Sequence, residues 1–170
     1  TAGINAGKII DDARVKVAGL INANPDSIVF TSGATEANNL AINGFFNANS
    51  GYNFISSNIE HFSILNQARN LRLGGVNVEI LKVNNCGLIV FNELESALKK
   101  GKALVSIALA NPEIGTIQDI KSISEICKKY NSLLHCDATA AAGLIELNIV
   151  NAMKNAADSG YILINCEYTA

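Results

Sequence analysis

Short apolar runs alternate with segments of helical period along almost the whole chain. This alternation restricts the fold more than any single motif does. The apolar runs are 28–32, 54–57, 76–83, 103–109 and 133–137. Between and around them, apolar residues recur at helical spacing over 7–22, 34–46, 64–73, 91–100 and 117–130. A strand covered on both faces reads as a continuous apolar run, and a helix laid on it shows an apolar stripe. The alternation therefore predicts an α/β fold, a mostly parallel sheet with helices on both faces. Segment 76–83 alternates only partly and is expected near a sheet edge. Ala103 to Leu109 is nearly continuous and is expected at the centre.

At 170 residues the chain is long enough for one domain with a sizeable core. Hydrophobic residues make up 49% and charged residues 16%, which excludes a disordered chain. The net charge is −2 and the Lys and Arg residues are scattered, so neither a nucleic-acid nor a membrane surface is expected. No apolar run has the length of a membrane span, and the first residues lack a signal-peptide profile. Cys86, Cys127, Cys136 and Cys166 form no C-x-x-C pair, so no zinc or thioredoxin motif is indicated. Free thiols point to a reducing compartment, the cytoplasm. Both ends have the look of cuts. Thr1 is not a methionine, and the strand-like run Tyr161–Cys166 stops just short of Ala170.

In parallel sheets ligands bind beyond the carboxyl ends of the strands. Ser32, Gly33, Thr35, Asn111 and Asp137 fall at such ends, and His61 falls just past another. At 28–39 a buried strand is expected to break at Ser32-Gly33 and become a helix. Free backbone N–H groups there, with the Ser and Thr hydroxyls, can hold a phosphate. The same stretch also reads as an ordinary turn with a Ser cap.

Asp137 closes an apolar strand, where an unpaired carboxylate costs several kcal/mol. A protonated pyridine nitrogen would fit it; so would a capping role toward Thr139–Gly143. His61 could stack on a flat ring or act as an acid or base, or it could be structural. His135, inside a strand, reads as a satisfied core histidine. Asn111 and Glu113 lie on the loop after the central strand, where loop hydrogen bonding also accounts for them.

Four motifs occur in one order: Phe30-Thr31-Ser32-Gly33-Ala34-Thr35-Glu36-Ala37-Asn38-Asn39, Glu60-His61, Asn111-Pro112-Glu113-Ile114-Gly115-Thr116-Ile117-Gln118-Asp119-Ile120, and His135-Cys136-Asp137-Ala138-Thr139. Over about residues 8–150 the chain resembles the class V aminotransferase group of pyridoxal-phosphate enzymes, and within it the cysteine desulfurases. The resemblance implies the large domain of a fold-type I enzyme. It implies that Ala34 and Thr35 hold the phosphate of pyridoxal 5'-phosphate, that His61 stacks over the ring, and that Asp137 binds the pyridine nitrogen. Asn111 is implied as a further cofactor contact. By the same resemblance the substrate is L-cysteine, the products are alanine and an enzyme-bound persulfide, and a scaffold protein accepts the sulfur for iron–sulfur clusters, thio-cofactors or thio-modified RNA. The resemblance also implies a homodimer in the full-length protein.

The departures are specific. The family's lysine stands in a Ser-x-His-Lys context, but no His-Lys pair exists here and no Lys follows Lys154. Ala140 stands where the family has Gln, and Pro112 where a desulfurase has Asn. The catalytic cysteine loop and the small C-terminal domain have no counterpart, and Cys166 is not at the cysteine's position. Residues 1–170 are thus expected to form part of a large domain, atypical over 151–170 and inactive by itself. A diverged, non-catalytic partner module and a related enzyme such as a selenocysteine lyase are the alternatives. In the family fold two later strands separate 28–30 from 133–137, so the sheet is expected to be open there unless Tyr161–Cys166 fills part of the gap.

Overall fold

The computed structural model describes residues 2–142, 144 and 163–165. Five strands form one parallel sheet: β1 (Asn53–Ser57), β2 (Val78–Leu81), β3 (Ala103–Ala108), β6 (Leu133–Asp137) and β7 (Leu163–Asn165). Their order is β2-β1-β3-β6-β7. Segment 76–83 thus supplies an edge strand and 103–109 the central one, as their apolar patterns predict. Part of the expected gap beside 133–137 is filled by β7, which pairs His135 with Leu163 and Asp137 with Asn165.

Alternation along the strands sorts the core into two layers. Ile55, Val105 and Leu134 point to one face with Leu94, Leu98, Ile123 and Cys127. These last four belong to α4 (Phe91–Leu98) and α5 (Ile120–Lys129). Phe54 and Leu104 point to the other face with Ile42, Ile64, Ala68 and Leu71. Those come from α2 (Ala34–Ala48) and α3 (Phe62–Leu73). The sheet is therefore covered on both sides, as its continuous apolar strands require.

Three expectations are corrected. Residues 28–31 form no strand. Val29 is 68% exposed and Phe30 48%. Instead of a strand partner, Ile28 has local ones: its N–H donates to Pro25 and its carbonyl accepts from Arg14. The Arg14 guanidinium also lies 5.1 Å from the centre of the Phe30 ring. An apolar run without a neighbouring strand has no ladder to join. Next, the loop after the central strand carries regular pairing, because β4 (Ala110–Asn111) and β5 (Thr116–Ile117) form an antiparallel clip. This clip takes Ile117, so α5 starts only at Ile120, where Asp119 caps it by accepting the Ser122 N–H at 3.0 Å.

The third correction concerns the first helix, α1 (Ala2–Ile21). It forms as its spacing predicts, but only Ala18 and Ile21 are buried. Ile9, Ile10 and Leu20, part of the apolar spacing that predicts this helix, are exposed. A groove of about 600 Å³ runs between Ile9, Ile10 and Ala13 of this helix and Ile28, Val29 and Phe30.

Candidate functional site

The carboxyl ends of β1, β3 and β6 lie side by side, because these strands are neighbours in the sheet. Glu60 and His61 follow β1, Asn111 follows β3, and Asp137 ends β6. The N-terminus of α2, with Ala34 and Thr35, approaches from the face that Phe54 and Leu104 cover.

Asp137 is 7% exposed. Its Oδ1 accepts the N–H of Thr139 at 3.0 Å and the Thr139 hydroxyl at 2.6 Å. Its Oδ2 accepts the Asn38 amide at 2.8 Å. The capping reading of this residue is thus realised toward Thr139. Among the described residues no Lys or Arg pairs with the carboxylate; the donors that reach it are neutral.

Asn38 is fully buried on α2 and joins three elements. Besides Asp137, its amide donates to Ser63 Oγ at 3.0 Å. Ser63, in the first turn of α3, lies 2.8 Å from His61 Nδ1 through its hydroxyl, and its N–H donates to the same nitrogen at 3.1 Å. His61 is therefore the N-cap of α3, a structural duty. Its ring is exposed at the rim, edge-on to Phe62 at 6.4 Å between centroids. One chain of hydrogen bonds thus runs from Asp137 through Asn38 and Ser63 to His61. A second polar clasp holds α2 to α3, with Gln67 donating to Asn39.

At the start of α2 the Thr31 and Ser32 hydroxyls are engaged within the turn. Thr31 donates to the Gly33 carbonyl at 3.1 Å, and Ser32 donates both its hydroxyl and its N–H to Glu36 at 2.6 Å. These bonds hold the Glu36 carboxyl below its ordinary pKa. The N-cap is Gly33, with no side-chain cap, so the expected Ser cap is replaced by Glu36 reaching back. Ala34 and Thr35 occupy the first two helical positions, where backbone N–H groups and the helix dipole favour an anion.

Asn111 is committed to its loop. Its Nδ2 donates to the Ile59 carbonyl at 2.8 Å, and its Oδ1 accepts the N–H groups of Glu113 and Ile114 at 2.9 and 3.3 Å. The loop thereby ties β3 to the turn before His61. Glu113 is exposed and offers only its backbone.

Behind the rim lie two buried titratable groups. Burial pushes the Glu60 carboxyl up to about 7, helped by the nearby Asp137 charge and opposed by hydrogen bonds from Ser57 and Ala108. Burial pushes the His135 imidazole down to about 4, against the pull of Asp137. His135 Nδ1 lies 2.8 Å from the hydroxyl of Ser106, its register partner on β3. Its Nε2 has no partner among the described residues, so the expected satisfied histidine is only half satisfied. Ser57 and Ser63 are site residues not singled out from sequence, and Asn38 and Glu60 stand in the quoted motifs without a role assigned to them. A polar residue four positions before buried Ile42, on one face of α2, was the signal for Asn38.

A family model, aminotransferase class-V, matches residues 1–154. The chain belongs to this family. Among curated class-V relatives, cysteine desulfurase IscS of Buchnera aphidicola subsp. Schizaphis graminum is 44% identical over 151 residues, covering 88% of this chain and 37% of the relative. Cysteine desulfurase IscS 1 of Archaeoglobus fulgidus is 44% identical over 149 residues, covering 86% and 39%. Among solved structures, a NifS-like protein from Rickettsia africae superposes with a TM-score of 0.78 at 34% identity, covering 89% of this chain and 42% of that one. A structure of SspA in complex with cysteine gives 0.83 at 32% identity, covering 89% and 44%. The class-V chain described here thus spans less than half the length of these relatives. Its fold, a mostly parallel sheet covered by helices, is that of the cysteine desulfurase structures it matches. No helix among the described residues is long and apolar enough to cross a membrane.

Proposed function

We propose that this chain is the cofactor-binding part of a pyridoxal-phosphate-dependent cysteine desulfurase. The observation that carries the reading is Asp137: an enclosed carboxylate at the end of β6, held among the described residues by neutral donors. A buried carboxylate of this kind is stabilised by a cation, and a protonated pyridine nitrogen would supply one. The residues present fit the non-covalent contacts of such a group. Asp137 would keep a proton on the ring nitrogen. His61, at the rim past β1, would stack on the ring face. Ala34 and Thr35 would offer backbone N–H groups to the phosphate at the positive end of α2. Asn111, whose amide nitrogen spends one N–H on Ile59, would direct the other toward the ring. Bound there, pyridoxal phosphate supplies an electron-withdrawing ring that stabilises negative charge on a substrate α-carbon.

The substrate of the whole protein would be L-cysteine, its acceptor a sulfur-receiving scaffold protein, and its working form a homodimer in the cytoplasm. The 170 residues carry no Ser-x-His-Lys, so the isolated chain is expected to bind cofactor without releasing alanine or sulfide from cysteine. Equilibrium dialysis against pyridoxal phosphate tests the reading, with Asp137→Asn and inorganic phosphate as competitor. Saturable binding is expected, weakened about tenfold by the substitution and displaced by phosphate. Equal binding by both chains would refute the role of Asp137.

A further inference from the structure

The donors and acceptors in the chain from Asp137 to His61 leave little choice of direction. The Asn38 Nδ2 can only donate, and it spends its two N–H bonds on Asp137 Oδ2 at 2.8 Å and Ser63 Oγ at 3.0 Å. The backbone N–H of Ser63 can only donate, so His61 Nδ1, 3.1 Å away, must accept. Because Nδ1 accepts and carries no proton, the 2.8 Å contact from Ser63 Oγ is the hydroxyl donating, while a lone pair of the same oxygen accepts from Asn38. Two donors aimed at Nδ1 leave that nitrogen without a proton.

We propose that Asn38 is a positioning residue that, through Ser63, fixes the neutral His61 ring as the tautomer carrying its proton on Nε2. Ring orientation follows as well, because Nδ1 is pinned to the first turn of α3 and Nε2 is turned away from it. The same amide sets the spacing between the His61 cap and Asp137. Its use in the site rests on the cofactor reading above: a ring held between Asp137 and His61 needs those two side chains at a fixed separation. Three facts make Asn38 suited to the task. It is fully buried, so water does not compete for its amide. It sits one helical turn after Ala34 and Thr35, so it also fixes where the start of α2 stands. Its two partners come from β6 and α3, 99 and 25 residues away along the chain.

The chain has only two histidines, so nitrogen-15 NMR of histidine-labelled protein reads each ring separately. At a pH where His61 is neutral, the expected spectrum shows one His61 tautomer, protonated at Nε2. Ser63→Thr keeps the hydroxyl and is expected to keep that spectrum. Ser63→Ala and Asn38→Leu keep the backbone N–H on Nδ1 but remove or misdirect the hydroxyl donor, and are expected to move the His61 nitrogen shifts part of the way toward the tautomer-averaged values and to weaken pyridoxal phosphate binding about tenfold. A wild-type His61 protonated at Nδ1 overturns the proposal without any variant being made. So does an unaltered His61 spectrum in a folded Ser63→Ala or Asn38→Leu chain. Wild-type protein that shows the expected tautomer but binds no pyridoxal phosphate supports the bracket and refutes the cofactor reading alone.

Discussion

The Glu60 carboxylate accepts the backbone N–H of Ala108 at 2.8 Å, fastening the turn after β1 to the last residue of β3. Its other oxygen lies 2.5 Å from the Ser57 hydroxyl. Both contacts survive protonation, because the neutral acid can donate to Ser57 Oγ. The clamp sits beside Asp137, so an uncharged Glu60 leaves Asp137 without a like-charged neighbour.

Glu60 and His135 oppose each other in their effect on stability. Glu60 rises from 4.5 to about 7 on folding. The folded chain thus binds more protons than the unfolded chain between these values, and stability falls as pH rises through them. His135 drops from 6.5 to about 4. Here the unfolded chain binds more protons, so stability falls as pH drops from 6.5 toward 4. Each effect is of order 3 kcal/mol across its window. The two slopes nearly cancel between pH 4.5 and 6.5. Glu60→Gln keeps both hydrogen bonds and removes one slope. Urea unfolding of this variant is expected to show stability climbing by about 3 kcal/mol over the window, while the wild type stays nearly flat. A flat variant would refute the assignment.

Burial on the two faces of the sheet and exposure at 28–30 predict opposite responses to truncation. Phe54 is fully buried, with the Phe46 ring 6.1 Å away. Phe54→Ala should cost about 3–5 kcal/mol in denaturant unfolding. Val29 is 68% exposed, and Val29→Ala should cost no more than about 0.5 kcal/mol. A loss above about 1.5 kcal/mol at Val29 would restore the buried strand that the sequence suggests.

The contrast shows which features the sequence makes legible. Runs 54–57, 103–109 and 133–137 are strands because each has a neighbour on both sides, and continuous apolar character reports that directly. Run 28–31 has the same character, but a strand is defined by its partner, which one segment cannot reveal. At the site, Asp137 and His61 stand out as polar residues at the ends of apolar runs. Asn38 and Ser63 do not. Short polar side chains on helices are common, and their role depends on contacts made far along the chain. Asn111 was legible as a loop residue, while its bonds to Glu113 and Ile114 come from the turn that β4 and β5 close, and its bond to Ile59 comes from the turn after β1.

Thiol chemistry separates the described cysteines. Burial pushes the Cys127 thiol up to about 12, which leaves almost no thiolate at neutral pH. Cys136 is buried as well, and Cys86 is exposed on its turn. Iodoacetamide at pH 8, followed by peptide mass mapping, should modify Cys86 within minutes and spare Cys127 until denaturant is added. Early modification of Cys127 would show that the α5 face opens readily.

The turn before α4 is seated on the clip that carries Asn111, and Gly87 is where they meet. Gly87 has φ +75, and a Cβ there would stand 2.6 Å from both Ile114 Cδ1 and Thr116 Oγ1. Gln118 holds the same junction, donating to the Gly87 carbonyl at 2.7 Å and accepting the Ile89 N–H at 3.0 Å. Gly51 has a similar φ of +77 with open space around it. Gly51→Ala should therefore cost about 1 kcal/mol from backbone strain alone. Gly87→Ala adds a clash with the Ile114 and Thr116 side chains, relieved by their rotation or by a shift of the clip, for a total of about 2–4 kcal/mol. Because the clip also carries Asn111, Gly87→Ala should speed amide hydrogen exchange at Glu113 and Ile114, whereas Gly51→Ala should leave those amides unchanged. Equal losses in the two variants would mean that the turn and the clip are not mechanically joined.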